Sequence, residues 1–186
     1  MVSLMSLLFP IIGSAVLVFV VSSVIHMVFT YHKDDLRRLP NEDAARAAMR
    51  PLAIPPGDYA VPFAGSAGAM KDPAYNAKLA EGPVAVMTVY PNGPFAMGRS
   101  LVLWFIYSLV VSLFAGYLAS RTLAADATYL MVFRVTGTVA FTGYALGLAQ
   151  QSIWYNKNWG ATLRSMFDGL IYALVTAGTF GWRWPS

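Results

Sequence analysis

The sequence has no cysteine. That excludes disulfides, thiolate zinc sites, iron–sulfur clusters, thiol nucleophiles and S-acylation at cysteine. Charge is also scarce, at 12% Asp, Glu, Lys and Arg, against about 25% in a soluble domain. There are two histidines, His26 and His32. No Ser–His–Asp set, HExxH motif or paired-carboxylate signature can be assembled from these residues. No catalytic residue is therefore assigned, and an enzyme is not expected. The net charge of +4 is modest, and no long basic run is interleaved with aromatics. That removes nucleic acid as a partner.

What the chain has in excess is apolar sequence, 57% of its residues. It is segregated into runs nearly free of charge. A helix crossing a bilayer needs about 20 mainly apolar residues. The first run, Val2 to Tyr31, holds no Asp, Glu, Lys or Arg. It lacks a basic leader and is too long for the apolar core of a signal peptide, so it reads as a retained helix. The second lies between Arg99 and Arg121. The third runs from Ala127 to Ile153 and is interrupted only by Arg134. The fourth runs from Thr162 to Trp182, with Asp168 near its start. The expected fold is an all-α membrane protein, a bundle of four transmembrane helices (1–31, 99–122, 127–153 and 162–182). A small, partly irregular α/β loop is inserted at 32–98.

Lys and Arg near span ends set orientation. With the amino terminus outside, ten Lys and Arg fall on the inner side, from Lys33 to Arg164, against Arg121 and Arg183 outside. Both termini are then outside and the loop is cytoplasmic. Trp104, Trp154, Trp159, Trp182 and Trp184 lie near span ends, where indole rings favour the headgroup layer.

Helices in lipid associate through small residues that allow close backbone approach. Span two carries Ser108, Ser112, Gly116 and Ser120 at four-residue spacing, and span four carries Gly169, Ala173, Ala177 and Gly181. Span three has the pair Gly143 and Gly147. Span one aligns Ser14, Ser22 and His26. Each set falls on one helix face, and the faces are expected to meet inside the bundle.

Within the loop, Asn41 to Arg50 and Asp72 to Glu81 read as short helices. The second has Pro73 in its first turn and Gly82 as its stop. Asp58 to Phe63 and Val84 to Tyr90 read as strands that can pair as a hairpin. About 65 residues is marginal for an independent core, so ordering on a partner is an open alternative. Gly65-Ser66-Ala67-Gly68 fails as a phosphate loop, because no Lys-Ser or Lys-Thr follows it.

Three ionisable side chains fall within expected spans, and intramembrane charge is a functional hypothesis by default. His26 suits a proton relay or an interhelical hydrogen bond. Asp168 suits a cation or proton site, or an i, i+4 pair with Arg164. At similar depths, His26 and Asp168 are able to meet. Arg134 suits snorkelling to outer headgroups, or an acid or lipid supplied by a partner. Six residues advance a helix by about 9 Å and about 240°. On one continuous helix, His26 and His32 therefore cannot serve a single iron. No metal or other cofactor is expected; a haem shared between copies is the one alternative left open, with His26 as its ligand.

Three stretches carry a resemblance. They are Ser165 to Trp182 (SMFDGLIYALVTAGTFGW), Met97 to Trp104 (MGRSLVLW), and Tyr31-His32-Lys33-Asp34-Asp35 with Leu39-Pro40. The chain resembles a family of small bacterial multi-pass membrane proteins with no assigned function. The resemblance implies a bacterial cytoplasmic (inner) membrane and brings no activity with it. The function expected from the residues is a non-catalytic accessory or scaffold subunit. Its partners would be the bilayer and a membrane protein or further copies of itself. The alternative is a small oligomeric ion, proton or solute transporter using Asp168 and His26.

Overall fold

The computed structural model describes residues 2–185. It is mostly helical. A 3-10 turn, Met5–Leu7, leads into α1 (Leu8–Val28), followed by α2 (Glu42–Met49), β1 (Gly57–Val61), α3 (Pro73–Glu81) and β2 (Ala85–Val89). Then come α4 (Met97–Thr122), α5 (Tyr129–Tyr144), α6 (Ala149–Tyr155) and α7 (Trp159–Trp182). Two compact units result: the chain up to Leu36 with everything from Ala96 onward, and Arg37–Phe95.

Among the described residues, three helical stretches are long and apolar enough to cross a membrane: Met5–Val28, Met97–Thr122 and Tyr129–Tyr155. The expected count of four is corrected to three on this measure. At 24 residues α7 is long enough, but Arg164, Asp168 and its many Gly, Thr and Ser residues lower its apolarity.

In the helical unit, α1 packs on α4 and α7, and α5 packs on the same two. The small-residue faces line these contacts. Ser108, Ser112, Gly116 and Ser120 are buried on α4, as are Gly169, Ala173 and Ala177 on α7. A Cβ at Gly116 would sit 3.2 Å from Ile11 and Phe180, and one at Gly181 would sit 2.6 Å from the Tyr129 ring. A Cβ at Gly143 would meet Val111 at 3.1 Å, whereas one at Gly147 would meet nothing within 4 Å. The expected pair on span three thus makes contact at Gly143 alone.

The reason is a break in span three, which is not one continuous helix. At Ala145 the backbone leaves helical geometry (φ −120°, ψ −54°), and a 3-10 turn, Leu146–Leu148, intervenes before α6. The Tyr107 hydroxyl donates to the carbonyl of Gly143 at 2.5 Å. In an unbroken helix that carbonyl would accept from the amide of Gly147. The turn carries Gly147 out of the face that Gly143 presents.

Two cores fill the unit. Near the amino end of α1, Leu7, Ile11, Ala115, Ala119, Val132 and Phe180 are buried together. Near its carboxyl end, Val18, Ile25, Val111, Ala140, Tyr144, Tyr172 and Ala173 form the second. The fully buried Ser14 hydroxyl lies 3.0 Å from the Ser112 hydroxyl, linking α1 to α4. Ser14→Ala is expected to cost about 0.6–1 kcal/mol, as for other hydrogen bonds between membrane helices. A Ser14→Ala/Ser112→Ala pair should cost less than the sum. Thermal unfolding in detergent measures both.

In Arg37–Phe95, β1 and β2 form an antiparallel two-stranded sheet, with Gly57 opposite Val89 and Val61 opposite Ala85. Thr88 donates to Asp58 across it at 2.6 Å. Asp72 caps α3 by accepting from the Ala74 amide at 2.8 Å, with Pro73 in the first turn. Gly82 ends α3 at φ +67°, a backbone region that favours glycine. No residue of this unit is buried.

Candidate functional site

α1 stops at Val28 because Phe29 turns extended (φ −87°, ψ 139°). The chain then reverses through turns closed by Lys33 N to Thr30 O and Asp35 N to His32 O, both 3.1 Å. This reversal lays Tyr31, His32 and Asp35 against the start of α7.

There they meet Asp168, which is buried at 3% exposure. The Tyr31 hydroxyl donates to Oδ1 of Asp168. His32 Nε2 lies 2.7 Å from Oδ2 of Asp168, and His32 Nδ1 lies 2.6 Å from Oδ2 of Asp35. Asp35 Oδ1 accepts from Arg164 Nε at 2.8 Å and Nη2 at 2.5 Å. The result is a chain, Arg164–Asp35–His32–Asp168–Tyr31. Carboxylates face both ring nitrogens of His32, an arrangement that favours the doubly protonated ring. Two cations then balance two anions, which is how charge is accommodated away from water.

Burial by itself pulls the His32 pKa down, but hydrogen bonds to Asp35 and Asp168 outweigh it and hold the ring above its usual value. Burial pushes Asp35 up, and His32 and Arg164 bring it below the usual carboxylate range. The Tyr31 phenol is pushed up to about 12, by burial and then by the Asp168 carboxylate it donates to.

The residues singled out from sequence distribute unevenly around this chain. Asp168 belongs to it, between His32 and Tyr31. Arg164 reaches Asp35 and not Asp168, so the i, i+4 pair on α7 is replaced by one between elements. His26 is exposed; its ring stacks on His32, with centroids 4.9 Å apart and planes at 8°. Its Nδ1 lies 3.0 Å from the Ser22 carbonyl. The expectation that His26 and His32 diverge is overturned, because the helix they were to share ends between them. One donor atom each from His26, His32 and Asp168 lies within 4.8 Å of the other two, which makes these the residues able to hold a metal. Arg134 is exposed on α5, and among the described residues no acid pairs with it. Trp104 is half-buried and donates to the Ser22 hydroxyl at 2.8 Å, inside the bundle.

Sequence reasoning assigned no role to Tyr31 or Asp35 and set His32 aside on the geometry of a continuous helix. The available signal was a His and an Asp three residues apart, just beyond a span end, at the depth of a lone intramembrane acid.

Polar groups continue inward from Asp168. The buried Tyr172 hydroxyl, one turn along α7, has no hydrogen-bond partner. Its ring centroid lies 5.7 Å from that of Tyr144, whose hydroxyl reaches the Ser108 carbonyl at 3.5 Å. Beyond lie Ser112 and Ser14, and then the apolar core of Leu7, Ile11, Val132 and Phe180. Farther along, the buried hydroxyls of Ser120, Thr136 and Thr179 each donate to a carbonyl of their own helix, so the polar groups that link helices enter from one end and reach as far as Ser14 and Ser112.

No family model, curated protein or solved structure matches the chain.

Proposed function

We propose that this is a non-catalytic accessory or scaffold subunit of a membrane complex or homo-oligomer, anchored by four helices in a bacterial cytoplasmic membrane. The reading includes α7 as a fourth span. Its two charges are neutralised at one end, Arg164 by Asp35 and Asp168 by His32, which offsets the cost of holding them within a bilayer. The Lys and Arg excess then orients both termini outside and residues 37–95 in the cytoplasm.

One observation carries the functional reading: the unit Arg37–Phe95 buries no residue. Phe63, Met70, Val84, Val86, Tyr90 and Phe95 are each at least 59% exposed. A two-stranded sheet with two short helices lacks the buried apolar area needed to stand alone. A surface of this kind is completed by another protein. Size-exclusion chromatography with light scattering, in mild detergent, should give a mass above one chain, and mass spectrometry should show a stoichiometric companion or a second copy. Deleting residues 41–92 should return the protein to a monomer. A clean monomer of the full chain at every concentration refutes the reading.

A second reading, proton or cation transport, is favoured by the polar thread from Asp168 through Tyr172. Against it, the hydroxyls buried beyond Ser14 and Ser112 are committed to carbonyls of their own helices, and Leu7, Ile11, Val132 and Phe180 are buried in the same half. Asp168→Asn in proteoliposomes should abolish flux on this reading. An unchanged flux, or none in the unaltered protein, removes it.

A further inference from the structure

The hydrogen bonds at Nδ1 of the two histidines give the site a direction. His26 Nδ1 is committed to the Ser22 carbonyl at 3.0 Å, and His32 Nδ1 to Asp35 at 2.6 Å. A ring that donates through Nδ1 to a carbonyl or carboxylate offers Nε2 as a ligand, and metal-bound histidines are oriented in this way. The third donor, Asp168, already faces His32 Nε2 at 2.7 Å. The geometry points to a binding site for one divalent first-row transition ion, held by Nε2 of His26, Nε2 of His32 and the carboxylate of Asp168.

The proton between His32 and Asp168 stands where the ion goes. Uptake releases that proton from Nε2 and leaves a neutral imidazole to bind. Two imidazoles and one carboxylate favour Zn²⁺, Co²⁺ or Ni²⁺ over Mg²⁺ and Ca²⁺, which prefer oxygen shells. A tetrahedral ion fills its fourth position with water. Donors about 2.1 Å from one ion stand about 3.4 Å apart, and one ring nitrogen from each histidine and an Asp168 carboxylate oxygen now lie within 4.8 Å of one another. His26 supplies the movement. It is exposed, in the last turn of α1, and outside the chain of ion pairs, so its ring is able to turn toward the ion. Asp35 then holds the His32 ring as its outer partner, while the His26 ring gives up its bond to the Ser22 carbonyl as it turns. The inference is independent of the partner-binding reading, because a monomer in detergent would bind the ion equally well.

The test uses the full chain, purified in mild detergent through a tag without histidine, stripped with EDTA and titrated with Co²⁺ under visible spectroscopy. One equivalent should bind with d–d bands, and Zn²⁺ but not Mg²⁺ should displace it. His26→Ala should weaken binding at least about tenfold, with circular dichroism unchanged. His26→Cys should restore binding and add a thiolate-to-Co²⁺ charge-transfer band. Because the chain has no cysteine of its own, that band reports position 26 alone. The inference fails if the unaltered protein gives no stoichiometric d–d bands. It fails equally if His26→Ala binds Co²⁺ as tightly, or if His26→Cys shows no charge-transfer band.

Discussion

Replacing Gly169 by alanine is expected to destabilise the helical unit by about 1–2 kcal/mol, although alanine is the better helix former. The propensity gain is about 1 kcal/mol. Against it, the added Cβ would lie 2.9 Å from the Cβ of Ala145 and 2.9 Å from the carbonyl oxygen of Tyr144. Both obstacles are backbone or bonded directly to it, so no rotamer change relieves them and α7 must move away from α5. Overpacking costs about 1–3 kcal/mol; with all three contacts at 3.0 Å or less and none able to rotate away, the upper half of that range applies, and larger side chains at 169 should cost more. Gly147→Ala is the control. A Cβ there meets nothing within 4 Å, so stability should hold or rise slightly. Gly181→Ala should fall between them, because the atoms in its way belong to the half-exposed Tyr129 ring, which can swing aside. Thermal midpoints of the three variants in one detergent test the order. A neutral Gly169→Ala would mean that α5 and α7 do not approach this closely.

Asp168→Ala should cost about 2–3 kcal/mol and release the segment after α1. The carboxylate accepts from Tyr31 and from the charged His32. Hydrogen bonds to charged groups contribute about 1.5–3 kcal/mol each. The partners are only half-buried, so water recovers part of the loss, and the lower end of what a buried ion pair loses applies. A double-mutant cycle with His32→Ala isolates the pair. Residues in one network show coupling of about 0.5–3 kcal/mol, and about 1–2 kcal/mol is expected here. Limited proteolysis gives a separate readout. Lys33 lies in the reversal held down by His32 and Asp35, and trypsin should cut there faster in Asp168→Ala. Additive costs with unchanged cleavage would show that the chain of ion pairs does not hold the reversal in place.

Some of the architecture was legible from residue type alone. Runs with little or no charge mark the three helices apolar enough to cross a membrane, because a backbone in hydrocarbon must satisfy its own hydrogen bonds. The spacing of Ser108, Ser112, Gly116 and Ser120 marks a buried face, since four residues nearly complete a helical turn. The Asp72-Pro73 start and Gly82 stop of α3 are local chemistry as well. The fourth helix was less clear: polar residues that make α7 a good packing surface also lower its apolarity.

The candidate site was half legible. Asp168 was identified because a lone acid within an apolar run is costly. Its partners were not, because they lie 137 and 136 residues away in Tyr31 and His32. Periodicity carries no information across such a distance. It also assumes a helix that continues, and this one stops at Val28. The reversal at Phe29 turns two histidines expected to diverge into a stacked pair, and the break at Ala145 removes Gly147 from the face of Gly143. Sequence by itself determined which segments are helical and which faces are small. Tertiary packing decided where two helices end and which charges meet, because both depend on contacts between elements far apart in the chain.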